Sequence, residues 1–445
     1  MTQRVSVLSA TGKPLMPCHP ARARELLRLG KARVARRHPF VIHLTERESG
    51  AVQDVVLKVD PGSKTTGVAV VAAFQRGPTV IQAAEIEHRS HQISKRLTNR
   101  RALRRCRRAR KTRYRAPRFD NRRRPEGWLP PSLWHRVATT LTQIRRFQVT
   151  VPVHRFEIET TRFDVHSLSA GRTLSGVEYQ HGTLHGCEVR EYLLHRHSHT
   201  CAYCKGLTGD PVLEVEHVIP RSRAGSNRVA NLVISCRACN AEKGNLTASQ
   251  WAQALAGRRS KLATTRGENA QKVADGVRPS LRDAAAMNAT RYALGREVKA
   301  LGLPVAFFSG GRTKFNRTAQ GYPKAHWIDA ACVGQSGCRV QLAPDAPVLR
   351  IKCTGRGKHQ VQRTDRFGFP TGKAGRAKRV HGFQTGDFVR LRQPRGKYAG
   401  TYVGALTGIR ASGIMDIVTP LGTVGATHKN YSLVQRGDGY RYAMG

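Results

Sequence analysis

The chain has 445 residues, and its 77 lysines and arginines against 29 acids give a formal charge of +48. Self-repulsion at this charge favours a polyanionic partner, which we expect to be nucleic acid, with a membrane surface as the weaker alternative. No apolar run reaches the roughly 18 residues of a membrane span, and the first residues lack a signal-peptide core, so we expect a cytoplasmic protein without a membrane partner.

The first fifty residues predict a small β-turn-α-β module. The apolar run Val5–Leu8 predicts a strand, and residues 12–18 predict a turn. A short helix with several arginines follows over 21–29, and 40–44 predicts the closing strand.

The next segment predicts a buried hairpin. Val55–Asp60 is a β-branched strand that ends in an acid, and the apolar runs 68–73 and 79–86 predict the strands that follow it. Asp60 is therefore expected at the rim of a sheet.

Residues 94–124 form a basic segment, with sixteen lysines and arginines and a single acid, Asp120. Apolar residues recur there near helical spacing, and no proline occurs before Pro117, so we predict an arginine-rich helix. Like charges three and four residues apart disfavour an isolated helix, whereas nucleic-acid phosphates would stabilise it. The predicted nucleic-acid contacts are Arg96, Arg100, Arg101, Arg104, Arg105, Arg107, Arg108 and Arg110.

Two further acids also lie at the ends or edges of apolar elements. The predicted strand 151–158 is followed by Glu159, and a predicted helix near 326 carries Asp329. Together with Asp60 these carboxylates would hold two Mg²⁺ ions, which clamp the attacking and leaving oxygens of a phosphodiester. His326, one helical turn before Asp329, could orient water there. Individually, an acid at a strand end is more often a turn or cap residue.

Four cysteines in two short-spaced pairs predict one structural zinc site. The pairs are Cys201-x₂-Cys204 and Cys236-x₂-Cys239, and this spacing is typical of tetrahedral zinc. The other six cysteines are scattered, which is unlike a disulfide framework and suits a reducing compartment.

Between and after the zinc ligands lie the residues of a possible second catalytic centre. A short ββα unit would bring together Glu216, His217 and Asn240, which is the set needed for a general base and for oxygen ligands to one Mg²⁺. The alternative is a zinc ribbon that only binds, with the Glu-His pair on its surface. From about residue 338, short β-rich runs separated by glycine and proline predict a small C-terminal barrel.

The order of these motifs resembles the IscB family, the transposon-encoded (OMEGA) RNA-guided DNA endonucleases that are compact relatives of Cas9. Residues 58–67 resemble the RuvC-I motif, 158–164 RuvC-II and 326–331 RuvC-III, and Pro14-Leu-Met-Pro17 matches the PLMP motif of the family's N-terminus. The resemblance implies an α/β fold. Its RNase H-like split RuvC core would carry an inserted arginine-rich bridge helix and a ββα-metal HNH domain.

The resemblance also implies domain boundaries. They are 1–50 for the N-terminal PLMP module, 51–92 for RuvC-I, 93–125 for the bridge helix, 126–180 for RuvC-II, 181–250 for the HNH domain with its zinc knuckles, 251–335 for RuvC-III and 336–445 for a β-barrel-like domain that contacts guide RNA and target-adjacent DNA.

The resemblance assigns roles to the candidate residues. His217 would be the HNH general base, Glu216 and Asn240 would flank its Mg²⁺, and Asn231 would orient the His217 backbone. RuvC cleavage would fall to Asp60, Glu159, His326 and Asp329. Glu157 competes with Glu159, because residues two apart on a strand share a face, although the spacing to Phe163-Asp164 favours Glu159.

The implied protein is a monomer in a ribonucleoprotein of the bacterial cytoplasm or nucleoid. It would bind a structured guide RNA (ωRNA) and double-stranded target DNA beside a short flanking motif, with HNH cutting the guide-paired strand and RuvC the displaced one. Two rival hypotheses are a guide-independent, structure-specific DNA nuclease and a zinc-containing RNA-binding protein that has lost catalysis.

Overall fold

A computed structural model describes residues 4–109, 127–160, 189–225, 229–276, 281–355, 365–366, 369–372, 379–419 and 421–445. The strands are β1 (Val5–Leu8), β2 (Pro14–Cys18), β3 (Ala32–Arg36), β4 (Val41–Leu44), β5 (Val55–Asp60), β6 (Thr65–Phe74), β7 (Gly77–Glu87), β8 (Arg155–Glu159), β9 (Leu213–His217), β10 (Leu232–Cys236), β11 (Val305–Phe308), β12 (Leu349–Cys353), β13 (Phe388–Gln393), β14 (Gly400–Ile409), β15 (Ile414–Thr419), β16 (Gly422–Thr427), β17 (Tyr431–Gln435) and β18 (Tyr440–Met444). The helices are α1 (Pro20–Arg28), α2 (Ser90–Arg108), α3 (Pro131–Thr150), α4 (Val189–Arg196), α5 (Arg237–Lys243), α6 (Ala248–Leu255), α7 (Lys261–Ala274), α8 (Leu281–Lys299), α9 (Gly310–Ala319) and α10 (His326–Ala331).

The protein is a mixed α/β protein whose chain divides into two compact units. The first unit comprises Met1–Leu57, Ser63–His154 and Gln341–Gly445, and the second comprises Lys58–Gly62 and Arg155–Val340. Within the described residues, we find no helix with the length and apolar character needed to cross a membrane.

The N-terminal module of the first unit is a four-stranded sheet in the order β2-β1-β4-β3. Strand β1 pairs antiparallel with β2 and parallel with β4, and α1 crosses between β2 and β3. Val7, Ala23 and Ile42 form part of its buried core. The segment predicted as a turn contains strand β2, because Pro14–Cys18 pairs with β1 and its alternate residues, such as Leu15, are buried.

The larger sheet of the first unit has the order β5-β6-β7-β12-β18. Strands β6 and β7 form a long antiparallel hairpin, as the two apolar runs predict, and Val68–Ala72 is buried throughout. Strand β12 adds parallel to β7, and β18 adds antiparallel to β12. Strands β12 and β18 lie within the predicted C-terminal domain 336–445, but they pair with this sheet and not with the other C-terminal strands.

The other C-terminal strands form a five-stranded antiparallel sheet in the order β16-β15-β14-β13-β17. Its core includes Val389, Leu391, Met415 and Ile417, which alternate along their strands as a one-sided sheet requires. Strands β16 and β17 stand at the two ends of this pairing order, and one buried cluster contains residues of all five strands. The Tyr431 hydroxyl of β17 donates to the Met415 carbonyl of β15 at 2.8 Å.

The second unit contains two groups of elements. In the first, strands run in the order β11-β8-β5, with β11 parallel to β8 and with β5 contributing Lys58–Asp60. In the second, the antiparallel pair β9–β10 and helix α5 enclose the four paired cysteines. Their buried cluster extends through Trp251 of α6 to Ala270 of α7.

Candidate active and metal sites

Three buried or nearly buried carboxylates converge in the second unit. Asp60 ends β5, Glu159 ends β8, and Asp329 lies in α10. Burial, reinforced by the neighbouring Glu159 charge, raises the pKa of Asp60 well above its usual value. Burial also raises the pKa of Asp329, although the charges of Arg317 and His326 oppose this. Each ionised carboxylate in the cluster disfavours ionisation of the others, and a bound divalent cation would offset this repulsion.

Two arginines that the sequence analysis did not single out contact these acids. The Arg291 Nη2 atom donates to Glu159 Oε1 at 3.0 Å and to the Pro61 carbonyl at 3.4 Å. The Arg317 Nε atom lies 2.8 Å from Asp329 Oδ1. These guanidiniums offset part of the cluster's negative charge. No sequence signal marks them, because the chain has many arginines and only the tertiary contacts distinguish these two.

The start of α9 also approaches Glu159. Ser309 caps this helix, and a Cβ atom added to Gly310 would lie 3.0 Å from Glu159 Oε1. The glycine therefore lets a helix N-terminus come close to the carboxylate, where the helix dipole favours negative charge. His326 is exposed at the first position of α10, one turn from Asp329.

Glu157, the competitor of Glu159, has a different partner. Its Oε2 atom lies 3.2 Å from Nζ of Lys58, a lysine with no exposed side-chain surface. The same Nζ donates to the carbonyls of Val333 at 2.5 Å and Ala331 at 3.3 Å, beside the end of α10. Burial lowers the pKa of Lys58, whereas the Glu157 charge raises it. Glu157 is therefore the counter-ion of Lys58, whereas Glu159 is the acid whose charge acts on Asp60 and Asp329.

The four paired cysteines form a compact set suited to zinc. All four are buried, and their sulfur atoms lie within 4.8 Å of one another. Arg266 of α7 donates from Nε to Cys239 Sγ at 3.1 Å, and the Thr208 hydroxyl lies 3.3 Å from Cys236 Sγ. Four thiolates are a common ligand set of structural zinc, and donors to the sulfurs orient the ligands and offset their charge.

The Glu-His pair lies on β9, with His217 opposite Leu232 of β10. Asn231, directly before β10, is hydrogen-bonded to the chain directly after β9. Its side chain accepts from the Ile219 N–H and donates to the Ile219 carbonyl, both at 2.9 Å. Its own carbonyl accepts from the Val218 N–H at 2.8 Å. Asn231 therefore holds the backbone directly after the half-buried His217.

The acid next to His217 is held by protein donors. Glu216 is buried, accepts from Lys243 Nζ at 2.7 Å and accepts from the Tyr203 hydroxyl at 3.1 Å. Burial raises its pKa, while Lys243 opposes the rise. Asn240 instead donates to Oε2 of Glu214 at 2.8 Å.

The structure therefore brings Asn240 into direct contact with an acid that the sequence analysis did not select. Glu214 and Glu216 lie two residues apart on β9, and strand alternation places them on one face. That alternation was the signal that could have identified Glu214.

The basic helix α2 spans Ser90–Arg108. Most of its arginines are exposed and, within the described residues, none of its arginines forms an ion pair with an acid. Arg107 and Arg108 are partly buried, and Arg110 lies outside the described residues. The helix therefore presents uncompensated positive charge.

Residues 5–182 match the sequence model of a family described as RRXRR protein, and residues 201–255 match one described as HNH endonuclease. Among solved structures, Cas9 of Streptococcus thermophilus in complex with the GGAA PAM is 13% identical, with a TM-score of 0.23, over 62% of this chain and 32% of that chain. The Type II-C Cas9 enzyme from Actinomyces naeslundii is 13% identical, with a TM-score of 0.22, over 63% of this chain and 59% of that chain. The chain thus spans less than two thirds of either Cas9. No curated protein is significantly similar to it.

The chain therefore contains an HNH endonuclease domain, which includes the paired cysteines, His217 and Asn240. The predicted resemblance to a compact nuclease of the IscB and Cas9 kind is confirmed by the combination of an RRXRR region with this domain.

Proposed function

We propose that this protein is an RNA-guided, metal-dependent DNA endonuclease of the IscB family with two nuclease centres. The observation that carries the proposal is that one chain combines an HNH endonuclease domain with a separate cluster of three carboxylates. A single-centre nuclease would not need the second cluster. The charge of +48 supports nucleic acid as the partner.

At the HNH centre, His217 is the proposed general base that deprotonates water. Asn231 holds the backbone after it, and Lys243 Nζ donates to the His217 carbonyl at 3.0 Å. Mg²⁺ would polarise the scissile phosphate and stabilise its developing charge. Asn240 and Glu216 are the proposed oxygen ligands, and Glu214 is added to them because it contacts Asn240. Metal binding by Glu216 would require its release from Lys243.

At the RuvC centre, Asp60, Glu159 and Asp329 are the proposed ligands of two Mg²⁺ ions, with His326 orienting water. Arg291 and Arg317 hold two of these carboxylates in place. The four cysteines would bind one structural zinc.

The guide RNA would supply sequence recognition, and the exposed arginines of α2 would contact its phosphates without sequence preference. Purified protein should therefore carry one defined RNA. With that RNA, it should cut both strands of a matching duplex in the presence of Mg²⁺.

Single substitutions should separate the two cuts. His217→Ala should stop cleavage of the guide-paired strand, and Asp60→Ala should stop cleavage of the displaced strand, each by about a hundredfold or more. Asp345→Ala, which removes an exposed acid, is the matched control and should cut normally. Strand-specific end labels on a denaturing gel measure both cuts.

The rival functions give different results. RNA-independent cleavage of branched DNA would indicate a structure-specific nuclease. A defined RNA without cleavage of either strand under any divalent cation would indicate a binding protein that has lost catalysis.

A further inference from the structure

A cavity of about 740 Å³ lies in the first unit beside the turn between β6 and β7. Arg4, Phe74, Gln75 and Arg76 contribute to its walls, and Gln53 faces it from the segment before β5. Its volume falls within the roughly 300–1,000 Å³ of small-ligand sites. None of the described residues that line it is acidic.

The floor of this cavity is held by hydrogen bonds. The Val80 N–H donates to the Gln341 carbonyl at 2.9 Å, and Nε2 of Gln341 donates to the Arg76 carbonyl at 2.7 Å. Gly77 adopts a φ of +110°, which a side chain would strain. The turn is therefore fixed on one side while Gln75 and Arg76 are exposed on the other.

The polar groups around the cavity are suited to a planar anionic ligand. The Arg4 guanidinium lies 5.6 Å from the centre of the half-buried Phe74 ring. Within the described residues, the side chains of Gln53 and Gln75 make no hydrogen bonds, so both amides are available. The His19 Nδ1 atom accepts the Ala21 N–H, which leaves Nε2 as the donor of the neutral ring.

We propose that this cavity binds one unpaired nucleotide of an RNA partner. The base would stack against Phe74 and Arg4, amide side chains would bond its edge, and Arg76 would contact a phosphate. Aromatic and guanidinium planes that stack on splayed bases are typical of single-stranded RNA recognition. An anion without a ring would not use the phenyl surface, and an apolar ligand would not use the two guanidiniums. The inference rests on the RNA partner proposed above.

Photocrosslinking of the full-length protein tests the site. The probe is a short oligouridylate that contains thiouridine, added after bound RNA has been removed at high salt, and mass spectrometry locates the crosslinked peptide. We expect a crosslink in the segment 74–80. Phe74→Leu should weaken oligouridylate binding at least about fivefold, because it removes the stacking surface, and Phe74→Tyr should retain it.

Arg76→Gln provides a second test that does not depend on packing, since Arg76 is exposed. Its matched control is Arg28→Gln, which removes the same charge from the exposed end of α1, outside the cavity. Arg76→Gln should weaken binding more than Arg28→Gln does. Equal losses of binding in Arg76→Gln and Arg28→Gln would overturn the proposal. So would crosslinks confined to segments other than 74–80, together with unchanged affinity in Phe74→Leu.

Uridine monophosphate separates the two sources of a nucleotide. If it displaces the oligouridylate from segment 74–80 at equal concentration, the occupant is a free nucleotide and the RNA assignment is wrong. The two proposals can also fail separately. If the protein co-purifies with no defined RNA but still binds oligouridylate in the cavity, the guide-RNA proposal is wrong and this site is supported.

Discussion

The buried pair Lys58–Glu157 permits a quantitative test of how the carboxylate centre is built. Lys58 has no exposed side-chain surface, and Glu157, which is 8% exposed, is the acid paired with it. Glu157 has a second, longer contact with the Arg155 Nε atom at 3.8 Å. Lys58→Met would leave the buried Glu157 with only the longer Arg155 contact and should cost about 3–5 kcal/mol. For a unit of this size, that corresponds to a fall in Tm of about 6–20 °C.

The double variant Lys58→Met/Glu157→Gln should recover most of this loss, because it removes both buried charges together. A residual cost of about 1–3 kcal/mol is expected, since the Val333 carbonyl loses its donor. Urea unfolding, with thermal unfolding as a second probe, measures all four members of the cycle. Additive losses in the two single variants would refute the ion pair.

The same variants separate structural from catalytic acids. Glu157→Gln should retain cleavage of the displaced strand once its stability is taken into account. Glu159→Gln should abolish this cleavage in the folded protein, although it also leaves the buried Arg291 without its partner at 3.0 Å. Loss of cleavage in a stable Glu157→Gln protein would show that Glu157 is the metal ligand.

Three further predictions concern the zinc site, the carboxylates and the basic helix. Cys239→Ser should lower the zinc content from about one to about zero per chain and unfold the region 201–274, while RNA binding persists. Two zincs per chain in the parent protein would instead implicate a second group of ligands, His88, His135 and Cys353. We do not expect this, because both ring nitrogens of His88 already form hydrogen bonds, with Thr66 and Thr139. Asp60→Asn should raise the Tm of the metal-free protein at neutral pH, because the raised pKa of Asp60 means that its ionisation favours the unfolded chain. This gain in Tm should vanish near pH 4, where Asp60 is protonated in the folded protein and ionises little in the unfolded chain. A constant gain at all pH values would contradict this cause. Replacing four exposed arginines of α2 with Gln should flatten the log-log salt dependence of RNA binding by roughly three units, and an unchanged slope would place the RNA elsewhere. The four are Arg100, Arg101, Arg104 and Arg105.

Several features depend on local sequence alone and could be predicted. Two CxxC turns direct four thiolates to one point wherever the surrounding chain lies, so the zinc set follows from spacing. Apolar recurrence and the absence of proline predict helix α2, and β-branched runs predict β5 and the β6–β7 hairpin. Asp60 and Glu159 are the last residues of β5 and β8, so their positions at the strand ends follow from where the apolar runs stop in the sequence.

Tertiary structure decided which partner each charged group has. Arg291 reaches Glu159 across 132 positions, and Lys58 reaches Val333 across 275. No local pattern encodes such contacts, because they depend on how strands and helices pack. The pairing of Asn240 with Glu214, and the contact of Arg266 with Cys239, were also unforeseen for this reason. Sequence determined which chemical groups the protein has, whereas packing determined which cation each carboxylate contacts: Lys58 lies beside Glu157, Arg291 beside Glu159 and Arg317 beside Asp329.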